Sequence, residues 1–133
     1  MENYPATGKS AIGLDANLAA AIGYPIGILG LIDFFIDKDN KFVRFHGIQS
    51  VLYSVAVGIL FAAIWVVLII LGIIASQISG MLAALIWIVD LLAFLAFIVL
   101  WLGVLLYSGY RAYQGQTFKL PLVGNFAENI VSK

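Results

Sequence analysis

His46, Gln49, Ser50, Tyr53, Ser54, Val57 and Gly58 recur at three- and four-residue spacing, which gathers polar and small side chains on one helix face. His46 and Ser50, four residues apart, are the right types for a base and a nucleophile. A serine in a helix, however, bonds back to the carbonyl four residues earlier. The chain has a single His, and no third residue is spaced to orient it. A metal site fares no better, because a lone His with scattered Asp lacks ligand spacing. Asp37-Lys-Asp-Asn-Lys41 lacks the Gly and closing Glu of a calcium loop and reads as a solvated turn. Catalytic, cofactor-binding and metal residues are therefore not expected. Lipid would penalise the polar face, so it should turn inward, either as a crevice open to the cytoplasm or as a hydrogen-bonded seam, the plainer expectation.

Two carboxylates stand out. Asp33 lies close in depth to Arg44, His46 and Arg111, which predicts a salt-bridged latch of Asp33, Arg44 and Arg111. Asp90 lies inside a long apolar run. A charge near the bilayer centre costs about 2.5–3.5 kcal/mol, so Asp90 should face other helices or a partner subunit. Helical spacing puts it on one face with Phe94, Phe97, Trp101 and Ser108, with Asn17, Tyr24, Ser76 and Gln77 as partner candidates.

The elements that must position these residues are hydrophobic. Hydrophobic residues make up 63% of the 133, charged residues 11%, and mean hydropathy is +1.07. Soluble domains carry roughly a quarter charged residues, so the solvent for most of this surface is lipid. Zero net charge, with seven basic residues split between the two ends, excludes a nucleic-acid groove. Without cysteine there is no disulfide or thiolate chemistry. A polar leader (1–14) without the basic start of a signal peptide precedes a membrane bundle (15–113) and an interfacial tail (114–133).

The bundle holds three apolar stretches, Ala16–Ile36, Phe42–Ala75 and Met81–Tyr110, each at least about the 20 residues that cross a bilayer core. Gly23-Tyr24-Pro25-Ile26-Gly27 interrupts the first, making it either a kinked span, the favoured reading, or a re-entrant hairpin. Gly23, Gly27 and Gly30 are spaced for close helix packing. The expected fold is all-α, a small polytopic membrane bundle. Three spans place Lys38, Lys41, Arg44, Arg111, Lys119 and Lys133 on one side and Lys9 on the other. Lys and Arg concentrate in the cytoplasm, so the C-terminus should be cytoplasmic and the N-terminus outside.

Asn40-Lys-Phe-Val-Arg-Phe-His-Gly-Ile-Gln-Ser50 and Ala112-Tyr-Gln-Gly-Gln-Thr-Phe-Lys-Leu-Pro-Leu-Val-Gly-Asn-Phe-Ala-Glu128 resemble a signature. It is that of small bacterial membrane proteins related to the twenty-kilodalton Tic component of the chloroplast inner-envelope translocon. The resemblance implies a multi-pass protein of the bacterial inner membrane. It also implies that Phe42, Arg44, Phe45, His46, Gln49 and Pro121 matter. The expected function is non-enzymatic, a scaffold or accessory subunit of a membrane complex linked to protein translocation. A small oligomeric channel or carrier is the alternative. The expected partners are the bilayer and either another protein or further copies of this chain.

Overall fold

The structure, a computed structural model, describes residues 3–133. Among them are five helices and no strand: α1 (Ala16–Ile22), α2 (Gly27–Ile36), α3 (Lys41–Ile78), α4 (Gly80–Tyr113) and α5 (Val123–Ser132). The chain folds as two compact units. One comprises residues up to Val55 together with Gly103–Lys133, and the other is Ala56–Leu102.

The second unit is a helical hairpin. The interval between the second and third apolar stretches shrinks to Ser79, because Ser76, Gln77 and Ile78 continue α3 and Gly80 begins α4. The Ser79 hydroxyl accepts from the Leu82 N–H at 3.5 Å, beside the start of α4. Each arm has about 23 residues, or about 35 Å at 1.5 Å per residue, close to the ~30 Å of a bilayer core. Aromatic contacts hold the arms. Phe61 packs on Phe97 with ring centroids 4.3 Å apart, Trp65 meets Phe94 edge-on at 5.4 Å, and Gly72 leaves room for the Trp87 ring. The outward residues, among them Ile59, Ile70, Leu92 and Val99, are exposed apolar side chains, a surface suited to lipid.

The first unit buries its own core. Phe42, Val43, Phe45, His46, Gln49 and Ser50 of α3 are buried, so this helix is protein-packed where it begins. The first apolar stretch is not one kinked span. It breaks at Gly23–Ile26 into two helices of 7 and 10 residues, and a 10-residue helix reaches only about 15 Å. Pro25 cannot donate a backbone hydrogen bond, and the chain folds back so that a Cβ at Gly23 would lie 3.1 Å from the Gly30 Cα. Gly30 and Gly47 in turn let α2 and α3 touch backbone to backbone. A Cβ at Gly30 would strike the Ser50 hydroxyl and the Gly23 carbonyl, and one at Gly47 the Gly30 carbonyl. Gly27 faces open space and takes no part in this packing.

Gly47→Ala should therefore lower the unfolding free energy in detergent by about 1–3 kcal/mol, the usual cost of overpacking. Gly58→Ala, where a Cβ meets nothing within 4 Å, should leave it unchanged or slightly raised. Thermal unfolding of the two variants side by side checks the contrast.

Candidate interaction site at the His46–Gln49 seam

After α4, Gly115 ends the helix in the left-handed region at φ 76°, with the Gly115 and Gln116 N–H groups donating to the Ala112 and Arg111 carbonyls. The chain then runs without helical structure from Gln116 to Leu120. Its backbone groups need partners, and α3 supplies them. The His46 Nε2 is 3.1 Å from the Gln116 carbonyl. A carbonyl only accepts, so Nε2 carries the proton and Nδ1 is the acceptor. The Tyr24 hydroxyl donates to Nδ1 at 2.8 Å. Gln49 Nε2 donates to the Tyr24 oxygen at 2.6 Å and to the Phe118 carbonyl at 2.8 Å, while its Oε1 accepts from the Leu120 N–H at 3.0 Å.

One face of α3 thus satisfies alternate residues, 116, 118 and 120, along the edge of an extended segment. Tyr24, His46 and Gln49 are fully buried. Burial raises the Tyr24 phenol well above its usual pKa, against a smaller lowering by the Gln49 amide, and so keeps the proton it donates. Phe42 and Phe45 pack edge-on against the His46 ring at 4.6 and 5.1 Å. Gly124 of α5 approaches so closely that a Cβ there would lie 2.9 Å from Gln49 Oε1. The polar face is therefore a seam and not an open crevice. Ser50 donates to the Gly47 carbonyl at 2.8 Å and does not engage His46. Tyr53, one turn on, is half-buried, and Pro121 is exposed just ahead of α5.

The Asp33–Arg44–Arg111 latch does not form. The Arg44 guanidinium lies over the Phe34 ring at 5.2 Å. That of Arg111 lies over Phe118 at 5.1 Å and donates to the Tyr107 hydroxyl at 2.9 Å. Aromatic faces have taken the cations. Asp33, 1% exposed, has neither carboxyl oxygen hydrogen-bonded. Burial first, and the neighbouring Asp37 second, raise it to about 7. Asp37 is likewise buried, accepting from the Ala11 N–H at 2.8 Å, so the Asp37–Lys41 turn is not simply solvated.

In the hairpin unit, Asp90 shares the stripe of Trp87, Phe94 and Phe97 that faces α3. It is buried, and one of its oxygens lacks a hydrogen bond. None of its expected partners serves it. Asn17 donates to the Tyr113 carbonyl, Tyr24 to His46, Ser76 to the Ile73 carbonyl and Gln77 to the Ser76 hydroxyl.

Residues 10–127 match the model of the magnetosome magnetite crystal formation protein family. The chain belongs to that family. A UPF0132 membrane protein of Methanocaldococcus jannaschii is 36% identical over 122 residues, covering 91% of this chain and 93% of its own. One of Archaeoglobus fulgidus is 38% identical over 113 residues, 84% of this chain and 91% of its own. No solved structure matches. These findings overturn the resemblance to the Tic component. Its two motif stretches fall almost wholly inside the family match, and these relatives are archaeal, not bacterial. The motifs supply the two sides of one seam, His46 and Gln49 on α3 and the backbone they bond, so they mark a packing requirement and carry no sign of translocation. Sequence reasoning missed Tyr24 as the hub, although a phenol at the break of an apolar stretch was a signal.

Gln49→Leu strands the Phe118 carbonyl and the Leu120 N–H, at about 1–3 kcal/mol for each unsatisfied group. It should destabilise the detergent-solubilised protein more than Arg44→Ala, which loses a contact on the ~0.5–1 kcal/mol scale. Equal melting temperatures would contradict this.

Asp33 makes a second expectation. Its folded pKa lies above the ordinary 3.8, so the folded chain holds a proton that the unfolded chain releases. The contribution of Asp33 to stability should therefore fall as pH rises from about 4 to about 7. Asp33→Asn should flatten that slope and raise the melting temperature more at pH 8 than at pH 5.

Proposed function

We propose that this protein is a non-enzymatic structural subunit of a membrane complex, a polar platform anchored in the bilayer by the hairpin. The observation that carries this is the distribution of charge. All seven Lys and Arg residues belong to the first unit, whereas Asp90 is the one charged residue of Ala56–Leu102. With α1 and α2 too short to span, Lys9 joins the other six. The positive-inside tendency then places both termini in the cytoplasm and the Ser79 turn on the opposite face.

The reactive-looking side chains are engaged. Both ring nitrogens of His46, the Gln49 amide and the Ser50 hydroxyl serve packing, which favours a structural role. On α5, Val123, Gly124, Ala127 and Val131 are buried, while Phe126 and Ile130, with Leu122 just ahead of the helix, form an exposed apolar stripe. That stripe is the natural interfacial foot of the tail. Among the described residues no three His, Cys, Asp or Glu converge to hold a metal ion.

Single cysteines replacing Ser10 and Ser132 should label from one face of the membrane, and one replacing Ser79 from the other. Ser10 and Ser79 labelling from the same face would overturn the topology. The purified protein in liposomes should pass no more ions than empty vesicles, and cross-linking in native membranes should give a discrete larger species. Ion flux would favour an oligomeric channel instead.

A further inference from the structure

A cavity of about 480 Å³ opens where the N-terminal leader meets the turn between α2 and α3, and Lys9, Ile36, Asp37, Lys38, Asp39 and Lys41 contribute to its wall. Three features make it a candidate ligand site. First, the ammonium groups of Lys9, Lys38 and Lys41 are engaged in no ion pair or hydrogen bond among the described residues. Second, the cavity borders the first turn of α3. Lys41 and Phe42 precede the first intrahelical bond, Arg44 N–H to the Asn40 carbonyl, and only the Val43 N–H is capped, by the Asn40 side chain at 3.3 Å. Unpaired N–H groups at the positive end of a helix favour an anion. Third, Asp37 lines the cavity at 4% exposure. Its Oδ1 accepts from Ala11, and its Oδ2, fully buried, has no partner. Such an oxygen calls for a donor from the ligand.

We propose that this cavity binds the headgroup of an aminophospholipid, with the phosphate at the lysines and the α3 N-terminus and the primary ammonium donating to Asp37 Oδ2. Both signs of charge on one wall suit a zwitterion better than a simple anion. The apolar rim decides between a lipid and a soluble phosphoamine. Ile36 is at the cavity, and Ile28, Leu31 and Phe35 continue from it as exposed side chains along α2, a track for an acyl chain. The assignment depends on the membrane location of the protein, and not on its scaffold role or orientation.

The test uses the full chain in maltoside micelles, with binding read by titration calorimetry. Dihexanoylphosphatidylethanolamine should bind at least about tenfold more tightly than dihexanoylphosphatidylcholine, whose trimethylated ammonium cannot donate to Asp37. Asp37→Asn keeps Oδ1 for the Ala11 N–H and replaces Oδ2 with a donor, so the preference should shrink to within about twofold. The exposed pair Lys38→Ala/Lys41→Ala should weaken both lipids about tenfold and leave their ratio intact. Equal affinity for the two lipids, or a preference that survives Asp37→Asn, overturns the site. Free phosphoethanolamine binding as tightly as the lipid overturns the lipid as its occupant.

Discussion

An extended backbone beside a membrane helix must find hydrogen-bond partners, and the first unit is organised around that need. Residues 116–120 leave carbonyls and an N–H without helical partners, and water is scarce in an apolar protein interior. His46 and Gln49, three residues apart on α3, reach the Gln116 and Phe118 carbonyls and the Leu120 N–H. Tyr24 closes the network by linking the two side chains. Every member both donates and accepts, so deleting one strands its neighbours. This chain of dependence ties the break between α1 and α2, the start of α3 and the segment after α4 into one body.

The glycines serve the same body. Tyr24 reaches His46 only because α2 can approach α3 closely, and Gly30 and Gly47 permit that approach. Gly124 does the same for α5 over Gln49. Close backbone contact takes the place of large interlocking side chains, as in many membrane helix pairs. The hairpin unit uses the other solution, with Phe61, Trp65, Phe94 and Phe97 filling the space between its arms.

Charge follows this division. The basic residues sit with the polar seam, and cations that expected carboxylates found aromatic faces instead. Asp33 and Asp37 stay buried beside each other without a counter-ion among the described residues. The arrangement costs stability at neutral pH and leaves Asp37 with an unused acceptor at the wall of a cavity. Buried polar groups without partners in the chain are where ligands or protons find a place.

Long apolar runs and sparse charge were enough to specify an all-α membrane protein, but they pointed to three spans where two long helices formed. An apolar run above about 20 residues that no proline interrupts has no other stable form in lipid. The spacing of His46, Gln49 and Ser50 likewise showed that one face of α3 turns inward. The partners of that face were not legible, because they are backbone atoms some 70 residues away, and side-chain periodicity says nothing about backbone acceptors. The fate of the first apolar stretch was also undecided, since Gly and Pro permit both a kink and a reversal. Tertiary packing chose the reversal, through the Gly23–Gly30 contact and the Tyr24 hydrogen bonds. The pairing of Arg44, Arg111 and Asp33 was likewise decided only in three dimensions. Similar depth places charges near one another, but the direction of each side chain determines whether it meets a carboxylate or a ring.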